Sequence, residues 1–512
     1  MSVLSVIYMA AALLVAVYGG NALLLAVLYL RQRGDSPVLP SPRAWPVVTV
    51  QLPIYNEMYV IKRLVRAVAQ LDYPRDRLQI QVLDDSTDES AWLARACVEQ
   101  YRGQGLDITL HRRRDRRGYK AGALAEGLKT AKGEFLAIFD ADFVPAPDFL
   151  KRTVPHLVAD PGLGFVQTRW SYLNADYSSL TLAQTIALDG HFVVEHLARN
   201  RNGLLMNFNG TAGIWRTQAI EDSGGWQSDT LTEDVDLSFR AQLSGWRALY
   251  LPDVDAPAEL PPQMAAFKRQ QARWATGAAQ CLVKLSGALL RGEPASQSPG
   301  RDTKTGLRPG LSWPARLEGL LHLSVWVAHP MSLVLLLLLV PMLLGQIPVT
   351  VNLGIFWFMA LGPIFAYALS QRHLHVDWKR RMLSSMPVLA LIGTGLALSN
   401  TVAIVRGLLA HDRTFQRTPK FRIEGRDDRW AGNRYALSFE WIVVGELLLA
   451  LYALAAVAVA VSVNNYFAVP FLLLYVGGYG YVGLYGLRDA WRSKQARPGV
   501  RQETMAVDSQ AK

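Results

Sequence analysis

Hydrophobic positions fall along this chain in three regimes. Residues 3–30 (VLSVIYMAAALLVAVYGGNALLLAVLYL) are apolar and uncharged, a run longer than the roughly 20 residues a bilayer core requires. No basic stretch precedes it and no cleavage site follows, so 1–31 is expected to be a retained span and not a signal peptide. From residue 31 to about 318 apolar and polar residues mix as in a globular domain. Apolar runs then return at 319–345, 350–370, 438–462 and 467–487, each expected to span a membrane. The stretch 385–406 carries Ser385, Thr394, Ser399, Asn400 and Thr401 between two basic flanks, and reads as an interfacial or re-entrant helix. Five full spans put the N-terminus outside and the C-terminus inside. Residues 491–512 are polar and read as a disordered tail.

Within the globular part, a Pro-rich linker (32–46) leads to a strand-like run, Val47 to Leu52, followed by a helical pattern around 57–70. A second apolar run, Gln79 to Leu83, ends in Asp84-Asp85. Another helical pattern covers 88–101. A third run, Phe135 to Phe139, ends in Asp140-Ala141-Asp142. Strands alternating with helices predict an α/β, doubly wound, mostly parallel sheet over 47–262, joined to an all-α transmembrane bundle. In such sheets ligands bind at the carboxyl ends of strands, where this chain puts its acids.

Charge sharpens the picture. The formal net charge is +11. Arg31, Arg33, Lys379, Arg380, Arg381, Arg422, Arg426, Arg429, Arg434, Arg488 and Arg492 crowd the segments beside the spans, as the positive-inside rule requires of a cytoplasmic face. The basic balance therefore implies membrane lipid and not nucleic acid. It makes the chain a multi-pass protein of an inner or plasma membrane, with its domain in the cytoplasm. Two cysteines, Cys97 and Cys281, supply no metal cluster, and Cys97 reads as core.

The strand-end acids carry the chemistry. A carboxylate buried at a strand end requires a donor, a cation or a ligand. Asp140 and Asp142, one residue apart on a bending chain, suit Mg2+ or Mn2+, which bind one or two carboxylates plus substrate phosphates. Thr232 reads as a helix N-cap before Glu233 and Asp234; capping alone or a general base at Asp234 accounts equally for these acids. Gln270, Arg273 and Trp274 share one helix face at i, i+3 and i+4, a flat indole with donors around it, on an amphipathic stretch expected at 263–318. Lys120 enters a helix after a small-residue loop, a setting that suits phosphate. The run Arg112 to Arg117 reads as a solvated or lipid-facing loop. His191 and His196, five apart, do not align on an α-helix and read as structural.

In combination and in order, Gln51-Leu52-Pro53-Ile54-Tyr55-Asn56-Glu57, Val82 to Asp88, Gly118 to Leu124, Ile138 to Phe143, Asn209 to Gly213, Glu233 to Leu237 and Gln270 to Trp274 resemble the family 2 glycosyltransferases of the cellulose synthase type. The likeness is greatest to the cellulose synthase-like A group, the mannan and glucomannan synthases. The resemblance implies a GT-A fold for 47–262 and a set of roles. Tyr55, Glu57, Asp85, Lys120 and Asp140 would hold the nucleotide, Asp140 and Asp142 the metal, and Asp234 would be the base. Gln270, Arg273, Trp274, Asn209, Gly210 and Thr211 would bind the acceptor. Phe415, Thr418 and Lys420 match the F-x-x-T-x-K pattern of that family's gating loop, here within 407–437 of the region 319–490.

The expected activity is an inverting, metal-dependent transfer of hexose from a nucleotide-sugar, GDP-mannose or UDP-glucose, to a β-1,4-linked polysaccharide, processive and coupled to export. Alternatives are a single-addition lipid glucosyltransferase of the ceramide or diacylglycerol kind, and a non-catalytic transporter or scaffold. The chain departs from bacterial cellulose synthases in having Asn-Gly-Thr where they carry a Cys-containing motif, and no cyclic-dinucleotide barrel.

Overall fold

The computed structural model describes residues 3–32, 39, 41–292, 311–345, 359, 361–409 and 415–496. The rest of the linker, most of the 350–370 span, part of the 293–318 connector, residues 410–414 of the gating-like loop and the tail beyond 496 lie outside the described residues.

Seven strands form one sheet, β1 (Val48–Ile54), β2 (Leu78–Asp84), β3 (Asp107–Arg112), β4 (Phe135–Ile138), β5 (Leu163–Tyr172), β6 (Gly213–Arg216) and β7 (Arg247–Ala258), in the order β3-β2-β1-β4-β6-β5-β7. Pairing is parallel except around β6, which runs antiparallel to both β4 and β5. The doubly wound, mostly parallel sheet expected from the sequence is present.

The pleat sorts the side chains of β1 cleanly. Val48, Val50, Leu52 and Ile54 join one core with Ile61, Leu64 and Phe149, each worth roughly 1.5–3 kcal/mol on full burial. The opposite face buries polar residues, which donate to one another across the strands. Thr49 Oγ1 donates to Gln79 Oε1 at 2.8 Å, Gln51 Nε2 to Gln81 Oε1 at 2.9 Å, and Gln81 Nε2 to Thr130 Oγ1 at 3.0 Å. Because partners lie across the sheet in register, the desolvation cost of these amides is offset. Both faces of the sheet are thus buried, and the strand ends remain as the place for chemistry.

The apolar helices pack beside this domain. Among the described residues, five are long and apolar enough to cross a membrane: Val3–Arg31, Trp313–Leu343, Trp378–Leu409, Ile442–Ser462 and Val469–Ala496. This set differs from the expected one. The sequence reading placed an interfacial helix at 385–406, but 378–409 is nearly continuous and qualifies as a span. Its two threonines spend their hydroxyls on their own backbone: Thr394 Oγ1 donates to Ala390 O at 3.0 Å, and Thr401 Oγ1 to Ala397 O at 2.6 Å. Yet the soluble domain touches it near both ends. Arg381 lies 3.6 Å from Asp176, and Thr276 Oγ1 donates to Ala403 O at 3.0 Å. The last helix also continues through 491–496, where a tail was expected.

Buried ion pairs join the domain to these helices. Lys268, on the helix Met264–Arg291, donates to both oxygens of Glu446 at 3.0 Å, and Arg199 pairs with Glu318. A charge in a span is tolerated when it is matched in this way.

Candidate active site

Asp84 closes β2, and Asp85 follows it into a cleft that Asp140, Asp142, Glu233 and Asp234 also line. The cleft holds about 1200 Å³ of empty space, open solvent included. Three separated acidic clusters, the outer two more than 140 positions apart in the chain, thereby face one another. Each comes from a strand end or a helix start: Asp85 after β2, Asp140 and Asp142 after β4, and Asp234 in the first turn of the helix Glu233–Leu243.

Lys120 stands among them. Its Nζ donates to Asp140 Oδ1 at 2.5 Å and to the Gly210 carbonyl at 2.9 Å, with Glu233 4.0 Å away. Burial works to lower its pKa, but Asp140 and Glu233 outweigh it and the pKa is raised, so the ammonium stays charged. Asp234 is pushed the other way. Burial and the neighbouring Glu233 raise it to about 7, against the pull of Lys120 and Arg273. A carboxylate that exchanges its proton near neutrality suits a general base. Burial also raises Glu57 and Glu259 to about 7.

The other expected residues are distributed as follows. Tyr55, Glu57, Asn209, Gly210, Gln270, Arg273, Trp274, Phe415, Thr418 and Lys420 all line the cleft. The segment 415–420 reaches it from beyond the apolar helices: Lys420 Nζ donates to Asp142 Oδ2 at 2.7 Å, and Arg417 lies 3.1 Å from Glu57. Thr418 Oγ1 is buried with no partner, a hydroxyl left for a ligand to satisfy.

Four readings are corrected. Thr211 does not face the cleft; it is fully buried, and its Oγ1 accepts from the Asp140 backbone N–H at 2.9 Å, so it sets Asp140 in place. Thr232 makes no side-chain cap on the helix it precedes; its hydroxyl sits 3.5 Å from Cys281 Sγ. The arginine run is not merely solvated. Arg113 makes a two-point contact with Asp85, Nε to Oδ1 at 2.9 Å and Nη2 to Oδ2 at 2.5 Å, and Arg116 covers the Tyr55 ring at 3.3 Å. Finally, His191 and His196 are side by side, their rings 4.4 Å apart. Gly190–His196 is a π-helix, whose i→i+5 ladder brings residues five apart into register. Both imidazoles reach the Asn209 side chain, His196 Nε2 at 2.8 Å and His191 Nε2 at 3.3 Å.

Among the described residues no group of three or more His, Cys, Asp or Glu is arranged to hold a metal ion. Two carboxylates, Asp140 and Asp142, are what the chain offers. That donor set fits a hard dication whose remaining ligands come from a diphosphate and water. Each carboxylate is here neutralised by a lysine.

Fold and cleft point to a class. A family model described as "Glycosyltransferase like family 2" matches residues 45–277. The chain's sheet is also the fold of a mannosyltransferase from Pyrobaculum calidifontis, PcManGT, solved with GDP-Man and Mn2+ (TM-score 0.51, 24% identity, 80% of this chain and 100% of that one).

Within the class, the sequence is similar to plant enzymes. It is 44% identical over 261 residues to glucomannan 4-beta-mannosyltransferase 1 of Oryza sativa subsp. japonica, covering 50% of each chain. It is 45% identical over 251 residues to glucomannan 4-beta-mannosyltransferase 2 of Arabidopsis thaliana, covering 48% of this chain and 47% of the relative. The alignment with each of these curated relatives thus spans about half of its length.

Proposed function

We propose that the chain is an inverting hexosyltransferase that moves a hexose from a nucleoside-diphosphate sugar onto a hydroxyl of a β-1,4-linked polysaccharide. The observation that carries this reading is the convergence of Asp85, Asp142 and Asp234 on one cleft that Lys120 also lines. GDP-mannose is the preferred donor, in keeping with the names of the plant relatives.

In this reading Asp234 takes the proton of the acceptor hydroxyl as that oxygen attacks the anomeric carbon from the face opposite the diphosphate. One base suffices, and no protein nucleophile is needed. Lys120 and the loop cations Arg417 and Lys420 surround the place where negative charge develops on the leaving diphosphate, stabilising it electrostatically. Tyr55, Glu57 and Asp85 form the nucleotide end of the cleft. Trp274 offers a ring-sized apolar face to the acceptor, with Gln270, Arg273 and Asn209 as its polar contacts. A divalent cation on Asp140 and Asp142 would supply Lewis-acid neutralisation of the diphosphate; Mg2+ and Mn2+ both fit two carboxylates.

In this reading the protein sits in a membrane with its cleft on the cytoplasmic side, which the apolar helices and the basic residues Arg31, Arg381, Arg422 and Arg488 beside them support. Transfer repeats on the same polysaccharide, which leaves through the helical region.

Purified full-length protein given radiolabelled GDP-mannose or UDP-glucose, with Mg2+ or Mn2+, tests the reading. A large product that mannanase degrades is expected. A cellulase-sensitive product would make glucose the sugar. A single hexose on lipid would replace the polymer reading, and no transfer from either donor would end it.

A further inference from the structure

Glu259 follows the last residue of β7, and its carboxylate is fully enclosed. That carboxylate is not answered by a side chain of its own domain at hydrogen-bonding distance; Arg63 is 3.9 Å away. It accepts two backbone N–H groups from the other end of the chain, Phe421 N on Oε1 and Arg422 N on Oε2, each at 2.8 Å. Arg422 itself adopts φ +62°, a left-handed conformation costly for a side-chain-bearing residue. The main chain of Glu259 takes part as well. Its carbonyl accepts from Lys420 Nζ at 3.0 Å, and its N–H donates to Asp142 Oδ2 at 3.3 Å. That same oxygen of Asp142 receives the Lys420 ammonium at 2.7 Å. Arg63 closes the arrangement, donating to Glu424 at 2.6 Å and to the Asp142 carbonyl at 3.2 Å.

We propose that Glu259 is the positioning residue that docks the segment 415–424 on the cleft, and that Lys420, so docked, holds the place of a divalent cation on Asp142. The inference rests on the assignment of Asp142 to the cation made above. An ammonium and a dication sharing one carboxylate oxygen repel each other at short range. Loop docking and cation binding therefore oppose each other, and by reciprocity whatever loosens the loop tightens the cation. A diphosphate arriving with the cation gives Lys420 and the unpartnered Thr418 hydroxyl a new anion, so the loop exchanges Asp142 for the nucleotide.

The test uses full-length protein in detergent, titrated with Mn2+ alone and followed by electron paramagnetic resonance. Asp142→Asn marks the site by losing the bound signal. Lys420→Ala is expected to bind Mn2+ about tenfold more tightly than the parent, and Glu259→Gln about fivefold more tightly. The sign for Glu259→Gln is diagnostic, because removing a negative charge beside a cation site otherwise weakens binding. As a second readout, Mn2+ alone is expected to speed tryptic cleavage after Lys420 and Arg422 in the parent by several-fold. Asp142-dependent binding that is no tighter in either variant overturns the inference and leaves the proposed function standing. Absence of Mn2+ binding in every form overturns both the cation assignment and the inference.

Discussion

A Cβ placed on Gly210 would stand 2.8 Å from Oδ2 of Asp234. Gly210 also has φ +78°, and its carbonyl accepts from Lys120. The residue is thus small for a reason local to the reaction: its backbone passes between the proposed base and the ammonium. Gly210→Ala is expected to lower kcat roughly 100-fold, since a misplacement of about 1 Å costs that much. Its melting temperature should fall by only a few degrees. Radiolabel transfer and thermal unfolding measured side by side check both.

Asp234→Asn keeps the shape of the side chain and removes its capacity to take a proton. Transfer is expected to fall by about 10²–10⁴-fold, with binding of GDP-mannose retained in calorimetry.

The pH profile follows from the same carboxylate. A base works only when deprotonated, and burial holds Asp234 at about 7. Below that value the active fraction falls tenfold per pH unit; above it the fraction is constant. A plot of log kcat/KM against pH should rise with unit slope to about pH 7 and then level. Asp234→Glu, if active, should keep the limb and shift its midpoint, whereas a profile flat from pH 5 to 8 would exclude Asp234 as the base.

Chelation tests the two-carboxylate site. EDTA is expected to abolish transfer, and added Mg2+ or Mn2+ to restore it. Asp140→Asn and Asp142→Asn should each shift the metal concentration needed to higher values, measured as half-maximal transfer.

The Lys268–Glu446 pair is buried on both sides, so its loss should register as stability. Lys268→Met strands a carboxylate and is expected to cost about 3–5 kcal/mol. The double variant Lys268→Met with Glu446→Leu should recover most of that, because apolar replacement of a whole buried pair is often neutral. Denaturation of the three variants in detergent decides the matter.

Much of this arrangement is legible in the chain. Acids that terminate apolar runs mark strand ends, and the parallel pattern brings those ends to one edge, which is why Asp85, Asp140 and Asp142 could be named beforehand; Asp234, in a helix first turn, is singled out as base only by the family resemblance. What escaped depends on facts a linear reading does not hold. The pairing of His191 with His196 needs a π-helix, and the usual 3.6-residue period separates them. Arg113 and Arg116 look like solvent-facing cations until the fold lays their loop against Asp85 and Tyr55. Arg63 and Glu259 sit in unremarkable sequence, and their partners Glu424 and Phe421 lie across the apolar region. For 378–409, counting Ser and Thr as polar made an interfacial helix of one long and apolar enough to cross a membrane.

Lys420 and Asp142 are 278 residues apart in the chain, with the apolar helices Trp313–Leu343 and Trp378–Leu409 translated between them. At about 5–20 residues per second, a nascent chain carries its acids for roughly 15–55 seconds before the last wall of the cleft exists. During that interval the bilayer must accept those helices before the segment can fold back. Under the proposed function the cleft therefore gains its cover only after those two helices are made, and a chain stalled before residue 420 is expected to spend no donor.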